Sequence, residues 1–148
     1  MGNAPSPRPS LLYAIKQVEL AVRSRMDAVL APSGITPLQY TALTVLHRRD
    51  GLSVAQLARN SFVTAQTMGE MITVLEHRGL VSRRVDPTSR RRTLTSVTQA
   101  GLDLLTEYDT KVAELEESMV ATLTPRQRHA FATYLNSCRV SLGDSPAH

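Results

Sequence analysis

The chain has 148 residues, of which 42% are hydrophobic and 4% aromatic, and its formal net charge is +4. That length fits one domain of ordinary size, with a core of aliphatic side chains and methionine. The single cysteine, Cys138, excludes an internal disulfide, and the four scattered histidines form no cluster typical of a metal site.

The first ten residues, MGNAPSPRPS, lack the apolar core of a secretory signal, and no apolar run is long enough to span a membrane. The same stretch fits the M-G-x-x-x-S myristoylation pattern. We interpret residues 1–10 instead as a disordered tail. We therefore expect a cytoplasmic protein with no membrane partner.

Positive charge is concentrated in the middle of the chain. Residues 36–99 contain nine arginines and four acidic residues, a balance of +5, whereas residues 1–35 carry +2 and residues 100–148 carry −3. This asymmetry predicts a basic binding module attached to a more acidic scaffold.

The first predicted element is a long amphipathic helix in the segment 11–35. Apolar residues recur there at spacings of three and four, and the pattern ends before the break at Pro32-Ser33-Gly34. The residues of this stripe are Leu11, Ile15, Val18, Val22, Met26 and Val29.

Three helix starts follow in quick succession. Thr36 and Ser53 are each followed by glutamine three residues later, the pattern of a capping box, and Thr64 is the third predicted N-cap. Apolar positions predict a helix after each start, and the second helix is short. In the third helix, the apolar spacing predicts that Met68, Met71, Ile72 and Leu75 point inward. Gly79 is expected to end the third helix.

A β-hairpin is predicted next. The stretch 80–85 is the first strand, Asp86-Pro87-Thr88-Ser89 is the turn, and the β-branched stretch 93–97 is the return strand. Arg83 and Arg84 must point to opposite faces of the first strand. We expect Asp86 to pair with an arginine of the hairpin.

Two further helices complete the chain. Thr98 is the N-cap of a long helix, and Thr124-Pro125-x-Gln127 begins the last one. Cys138 lies on the apolar stripe of the last helix, so we predict a buried thiol. Residues 143–148 are predicted to be disordered.

This order of elements predicts a mainly α fold with a small β-hairpin wing. A winged helix-turn-helix lobe at residues 36–99 is flanked by helices at 11–35 and 100–142. In such a lobe, the helix that begins at Thr64 lies in the major groove of double-stranded DNA. The wing contacts the minor groove or the phosphates. The predicted DNA-binding residues are Ser53, Thr64, Ala65, Gln66, Thr67, Glu70, Arg83, Arg90, Arg91 and Arg92.

Several of these residues have a second interpretation. Ser53 is first of all a helix cap, and Arg83 could equally be a structural ion-pair partner. Gln66 offers the donor and acceptor needed to bind adenine, whereas Glu70 repels phosphate but could accept from cytosine.

The segments ITPLQY, GLSVAQLA, VTAQTM, LEHRGLVSRRVDPTSRR and LTSVTQAG resemble the MarR family of bacterial transcription regulators. The resemblance covers nearly the whole chain. It implies a homodimer whose first and last helices form the dimer layer and whose two lobes bind a pseudo-palindromic operator. It also implies a repressor that a small ligand, often an aromatic acid, releases from DNA.

Two positions depart from the family pattern. Ser89 stands where an aspartate is usual, and Glu70 stands where an arginine is frequent. The operator of a relative therefore cannot be assumed for this chain.

A ligand pocket is expected between the dimer layer and the DNA lobe. We single out Tyr13, Arg23, Tyr40, His47 and Tyr108, because arginine can bind a carboxylate and tyrosines can cover an aromatic ring. We expect no metal and no cofactor beyond this possible effector.

The sequence disfavours two other classes of function. An enzyme is not expected, since the sequence has no nucleophile–base pair, no phosphate-binding glycine loop and no metal cluster. The remaining alternative is a winged helix that binds another protein instead of DNA, which the +5 charge of residues 36–99 disfavours.

Overall fold

The computed structural model describes Arg8 and residues 10–143. Most of the N-terminal tail predicted at 1–10, with its myristoylation pattern, and residues 144–148 lie outside the described residues. The helices are α1 (Leu11–Leu30), α2 (Pro37–Arg48), α3 (Val54–Ser61), α4 (Ala65–His77), α5 (Gln99–Met119) and α6 (Pro125–Leu142), and the strands are β1 (Val81–Asp86) and β2 (Ser89–Val97). This mainly helical fold with one antiparallel hairpin confirms the predicted fold class.

The helices begin where the polar sequence pattern predicted. Capping boxes are present at α2, α3 and α6, where the side chain of Thr36, Ser53 or Thr124 accepts from a backbone N–H and a glutamine side chain accepts in return. Thr64 and Thr98 cap α4 and α5. Each cap satisfies backbone donors that have no partner inside the helix.

Both strands of the hairpin extend closer to the turn than predicted, β1 by one residue and β2 by four. Asp86 pairs with Ser89, so only Pro87 and Thr88 form the turn, where a four-residue turn was expected. The Asp86 carboxylate causes this tightening, because it accepts from the backbone N–H of Thr88 at 2.9 Å and from its hydroxyl at 2.8 Å.

The core of the lobe lies under α4 and the hairpin. Met68, Ile72 and Leu75 of α4 are fully buried, as the apolar spacing predicted. Leu52, just before α3, was not predicted to pair, but it exchanges two backbone hydrogen bonds with Thr95 of β2, at 2.8 and 3.2 Å. These bonds attach the base of the wing to the helix-turn-helix.

The helix α6 packs differently from the rest, since none of its residues is buried. Cys138 is therefore exposed, and the prediction of a buried thiol was wrong. The apolar stripe exists, but it faces away from the remainder of this protomer. Among the described residues, no helix has the length and hydrophobicity needed to cross a membrane.

Candidate nucleic-acid interface

The start of α4 presents a continuous exposed surface. Residues 64–67 are all exposed, whereas Met68 is fully buried. The Thr64 hydroxyl accepts from the backbone N–H of Thr67 at 3.1 Å and donates to the Thr67 hydroxyl at 3.0 Å. The Thr67 hydroxyl thus keeps its own proton available for an outside acceptor.

Gln66 and Glu70 lie one turn apart and are both exposed. Residues four apart share one face of a helix, so the Gln66 amide and the Glu70 carboxylate are neighbours on the outer side of α4. Ala65 is exposed beside them and adds no bulk. This side of α4 can therefore approach a groove closely and offer both donors and acceptors.

Ser53 serves mainly as a cap. Its residue is 5% exposed, and its hydroxyl accepts from the backbone N–H of Gln56 at 3.2 Å. The structure therefore disfavours the predicted direct DNA contact by this side chain. The free N–H groups at the start of α3 are the remaining anion-binding groups there.

Arg90, Arg91 and Arg92 lie where the pairing of the two strands is irregular. Val85 pairs with Thr93 and Asp86 pairs with Ser89, so residues 90–92 have no paired residues on β1. Arg90 and Arg91 are exposed, and no hydrogen bond or ion pair joins their side chains to the part of the chain that the structure describes. Their guanidinium groups are thus available to a polyanion.

Arg92 binds the buried carboxylate of Asp86 at the start of the turn. Its Nε and Nη2 atoms each lie 2.8 Å from Oδ2 of Asp86, which is 5% exposed, so the expected pairing of Asp86 with a wing arginine is confirmed. The hydrogen bonds from Thr88, followed by the contact with Arg92, hold the pKa of Asp86 below its ordinary value, against an opposing effect of burial.

Arg83 and Arg84 point to opposite faces, as predicted. The Nη2 atom of Arg83 donates to the Thr73 hydroxyl at 2.8 Å, and its Nε lies 3.4 Å from Oε2 of Glu76, so the side chain joins β1 to α4. The Arg84 side chain donates to the Ser96 hydroxyl at 2.5 Å on the other face. Of the two roles predicted for Arg83, these contacts support the structural ion pair.

Arg78 has a structural role that was not predicted. Its Nη2 atom donates to the backbone oxygen of Ser33 at 2.6 Å and joins the end of α4 to the turn after α1. The two residues are 45 positions apart, so no local pattern could have indicated the contact.

A cavity of about 760 Å³ lies between α1, α2 and α5. Tyr40 and His47, which were predicted for an effector pocket, line it. Tyr13, Arg23 and Tyr108 do not: Tyr13 is exposed, Arg23 pairs with Glu19, and Tyr108 is buried in the core. The wall residues are Val22, Met26, Tyr40, Thr44, His47, Arg48, Gln99, Leu102, Leu105, Thr106, Asp109, Val112, Ala113, Leu115, Glu116 and Met119.

The cavity is lined by both apolar and polar residues. Burial, followed by the negative charge of Asp109, raises the pKa of the Tyr40 hydroxyl, which therefore stays protonated at neutral pH. Arg48 was not singled out from the sequence, yet it adds a cation to the lining. Within residues 10–143 and Arg8, no three histidine, cysteine or acidic residues come together as a metal site would require.

Comparisons with known proteins agree with this geometry. Residues 33–92 match the model of the MarR family. The HTH-type transcriptional repressor Rv2887 of Mycobacterium tuberculosis is 31% identical over 123 residues, which are 83% of this chain and 88% of the relative.

Two solved structures extend the comparison to DNA complexes. The transcriptional repressor CouR, bound to a 23-mer DNA duplex, is 27% identical with a TM-score of 0.79 and matches over 87% of this chain and 92% of CouR. The S. aureus MepR–DNA complex is 23% identical with a TM-score of 0.80, over 90% of this chain and 99% of the MepR chain, and has the same fold.

Proposed function

This chain belongs to the MarR family of transcriptional regulators, which are DNA-binding proteins and not enzymes, and from that premise we propose a homodimeric repressor of a pseudo-palindromic operator. Relief of repression by a small aromatic ligand is part of the proposal. The site of action is the cytoplasm, where the DNA lies.

The exposed cations of the wing are the observation that carries the DNA-binding proposal. Arg90 and Arg91 project from the irregular stretch of β2 without a described partner, beyond the fixed pair of Arg92 and Asp86. An unpaired guanidinium can turn toward phosphate or a narrow minor groove without first breaking an ion pair. The exposed start of α4 supplies the groups for base edges in the major groove.

The exposed apolar side chains of α1 and α6 support the homodimer. Leu11 is 82% exposed and Leu142 is 83% exposed, and both helices carry several further exposed apolar residues. A monomer does not gain stability from apolar side chains that remain in water. A second copy that covers both helices would bury these residues and would set two lobes against one operator.

The cavity beside Tyr40 supports the ligand response. It contacts α1, which belongs to the proposed dimer layer, and α2, which belongs to the DNA lobe. A ligand that binds more tightly to one arrangement of α1 and α2 than to another would favour that arrangement. In the proposed homodimer, this would change the distance between the α4 helices of the two protomers.

Selection of bound duplexes from a random pool, followed by titration of affinity against salt, tests the proposal. We expect an inverted repeat whose half-sites are about one helical turn apart, and a linear fall of log affinity with log salt. Random sequences with no salt dependence would contradict it and favour the alternative, a winged helix that binds protein.

A further inference from the structure

Phe62 lies in the turn between α3 and α4 and has an unusual backbone conformation. Its φ is +55°, and it is the one non-glycine residue with positive φ among the described residues. Its N–H donates to the backbone oxygen of Arg59, and the N–H of Val63 donates to that of Ala58 at 3.1 Å. These two bonds define a Schellman motif whose left-handed position is Phe62.

The same chain builds this motif a second time, with glycine. After α4, the N–H of Gly79 donates to Glu76 and the N–H of Leu80 donates to Leu75, and Gly79 has φ +72°. Glycine is favoured there because a Cβ atom in the left-handed region clashes with the backbone. A phenylalanine therefore carries a conformational cost at residue 62 that the chain avoids at residue 79.

Burial of the aromatic ring offsets that cost only in part, because Phe62 remains 51% exposed. Strain of this kind is tolerated at functional sites, where it holds a side chain in a required position. A ring that is strained and exposed in the free protomer is therefore a candidate for contact with something outside the protomer.

The position of Phe62 indicates what that partner is. It precedes the N-cap Thr64 by two residues, so its Cα lies within about 7 Å of the Cα of Thr64. The exposed surface of residues 64–67 begins there. An aromatic ring cannot bind phosphate oxygens, but it can pack against an apolar group in the major groove, of which the thymine C5-methyl group is the most exposed.

We propose that Phe62 is a specificity-determining residue whose ring contacts a thymine methyl group at the edge of the operator half-site. This inference rests on the proposed function, since it requires α4 to enter the major groove. It assigns the left-handed turn a role in positioning the ring against DNA.

The test compares Phe62→Gly with the wild type on the selected operator and on duplexes in which each thymine of a half-site is replaced in turn by deoxyuridine, which lacks the methyl group. We expect Phe62→Gly to weaken binding about tenfold, the effect of uncovering an apolar side chain. We expect the wild type to lose about fourfold at one deoxyuridine position, and the glycine variant to be insensitive there. The slope of log affinity against log salt should not change, because an apolar contact releases no counterions.

The thermal unfolding midpoint separates a DNA contact from a folding role. Phe62→Gly should unfold at nearly the same temperature as the wild type, because the relief of left-handed strain offsets the loss of a half-buried ring. Val74→Ala is the control. Val74 is 48% exposed and lies roughly 15 Å from Thr64 along the axis of α4, so this variant should bind the operator as tightly as the wild type does.

Each outcome decides the proposal. Equal affinity of the wild type and Phe62→Gly, a strongly lowered unfolding midpoint, or an equal loss in Val74→Ala would overturn it. A loss in Phe62→Gly with no wild-type sensitivity to deoxyuridine would also overturn it, because the ring would then contact a group other than a thymine methyl. Failure of the wild type to bind any duplex would refute the proposed function itself.

Discussion

The five arginines between residues 83 and 92 have different environments, although the sequence presents them as one basic cluster. Arg83 and Arg84 bind groups on β1's two faces, and Arg92 binds Asp86. Arg90 and Arg91 are exposed where the hairpin loses its register. The free charge of the wing is therefore smaller than its composition indicates, and it is confined to two adjacent residues.

Arg90→Ala should weaken operator binding by roughly tenfold, because one cation next to the DNA is lost. The slope of log affinity against log salt should fall by about one. Fluorescence anisotropy with a labelled operator at several salt concentrations measures both. Arg126→Ala, which removes an exposed arginine from the start of α6, is the matched control for net charge. If the two variants bind equally well, the wing is not part of the interface.

Asp86→Asn should destabilise the wing in a pH-dependent way. The pKa of Asp86 is lowered in the folded protein from an ordinary value of 3.8, so its contribution to stability is present above that value and is lost as the pH falls through the folded pKa. The variant should therefore unfold at a lower temperature than the wild type at neutral pH, and the difference should disappear in acid. Melting curves from about pH 2 to pH 7 test this, and a difference that grows in acid would contradict the assignment.

At the scale of elements, Thr98 and Gly101 join the end of α4, the wing and α5. The Thr98 hydroxyl donates to the backbone oxygen of Gly79 at 2.6 Å and accepts from the N–H of Gly101 at 3.2 Å. Gly101 lets the start of α5 lie directly on the strands, because a Cβ atom there would be 2.4 Å from the Leu80 oxygen and 2.5 Å from Cγ2 of Val97. The start of α5 is thereby packed directly against the base of the wing.

Gly101→Ala should lower the free energy of unfolding by about 1–3 kcal/mol, the usual cost of overpacking. Gly69→Ala is the matched control inside α4, where the nearest atom to a new Cβ is Cγ1 of Val54 at 3.9 Å. That control should be neutral or stabilising by up to about 1 kcal/mol, because alanine favours helix more than glycine does. Urea unfolding of both variants measures the difference, and equal stabilities would show that the close contact at Gly101 is not maintained.

At the scale of the whole molecule, the protomer has one packed lobe and two helical ends that expose apolar residues. Leu30, at the end of α1, is fully buried in the lobe, whereas Leu11 and Leu12 at its start are 82% and 78% exposed. One helix thus belongs to both regions. Deletion of residues 1–30 would damage the lobe as well as a dimer, so point substitutions near residue 11 test the dimer more cleanly.

Leu12→Glu should shift the proposed homodimer toward monomer at micromolar concentration, because each interface would bury a carboxylate without a partner. Sedimentation velocity measures the state, and a circular dichroism spectrum should show that the lobe keeps its helices. Gln17→Glu is the matched control, since Gln17 is exposed, lies five residues from Leu12 on a different face of α1, and the change adds the same single negative charge. A variant that sediments like the wild type would place the dimer contacts elsewhere.

The sequence by itself determined the helix starts, the inward face of α4, the hairpin and the family. These properties depend on neighbours in sequence: caps act over three residues, and apolar spacing repeats every turn. Only the tertiary structure decided which arginines remain free, that Cys138 is exposed, and which predicted pocket residues line the cavity. Each of those properties depends on what another element places beside the residue, as Thr73 and Glu76 do for Arg83, and no local pattern contains that information.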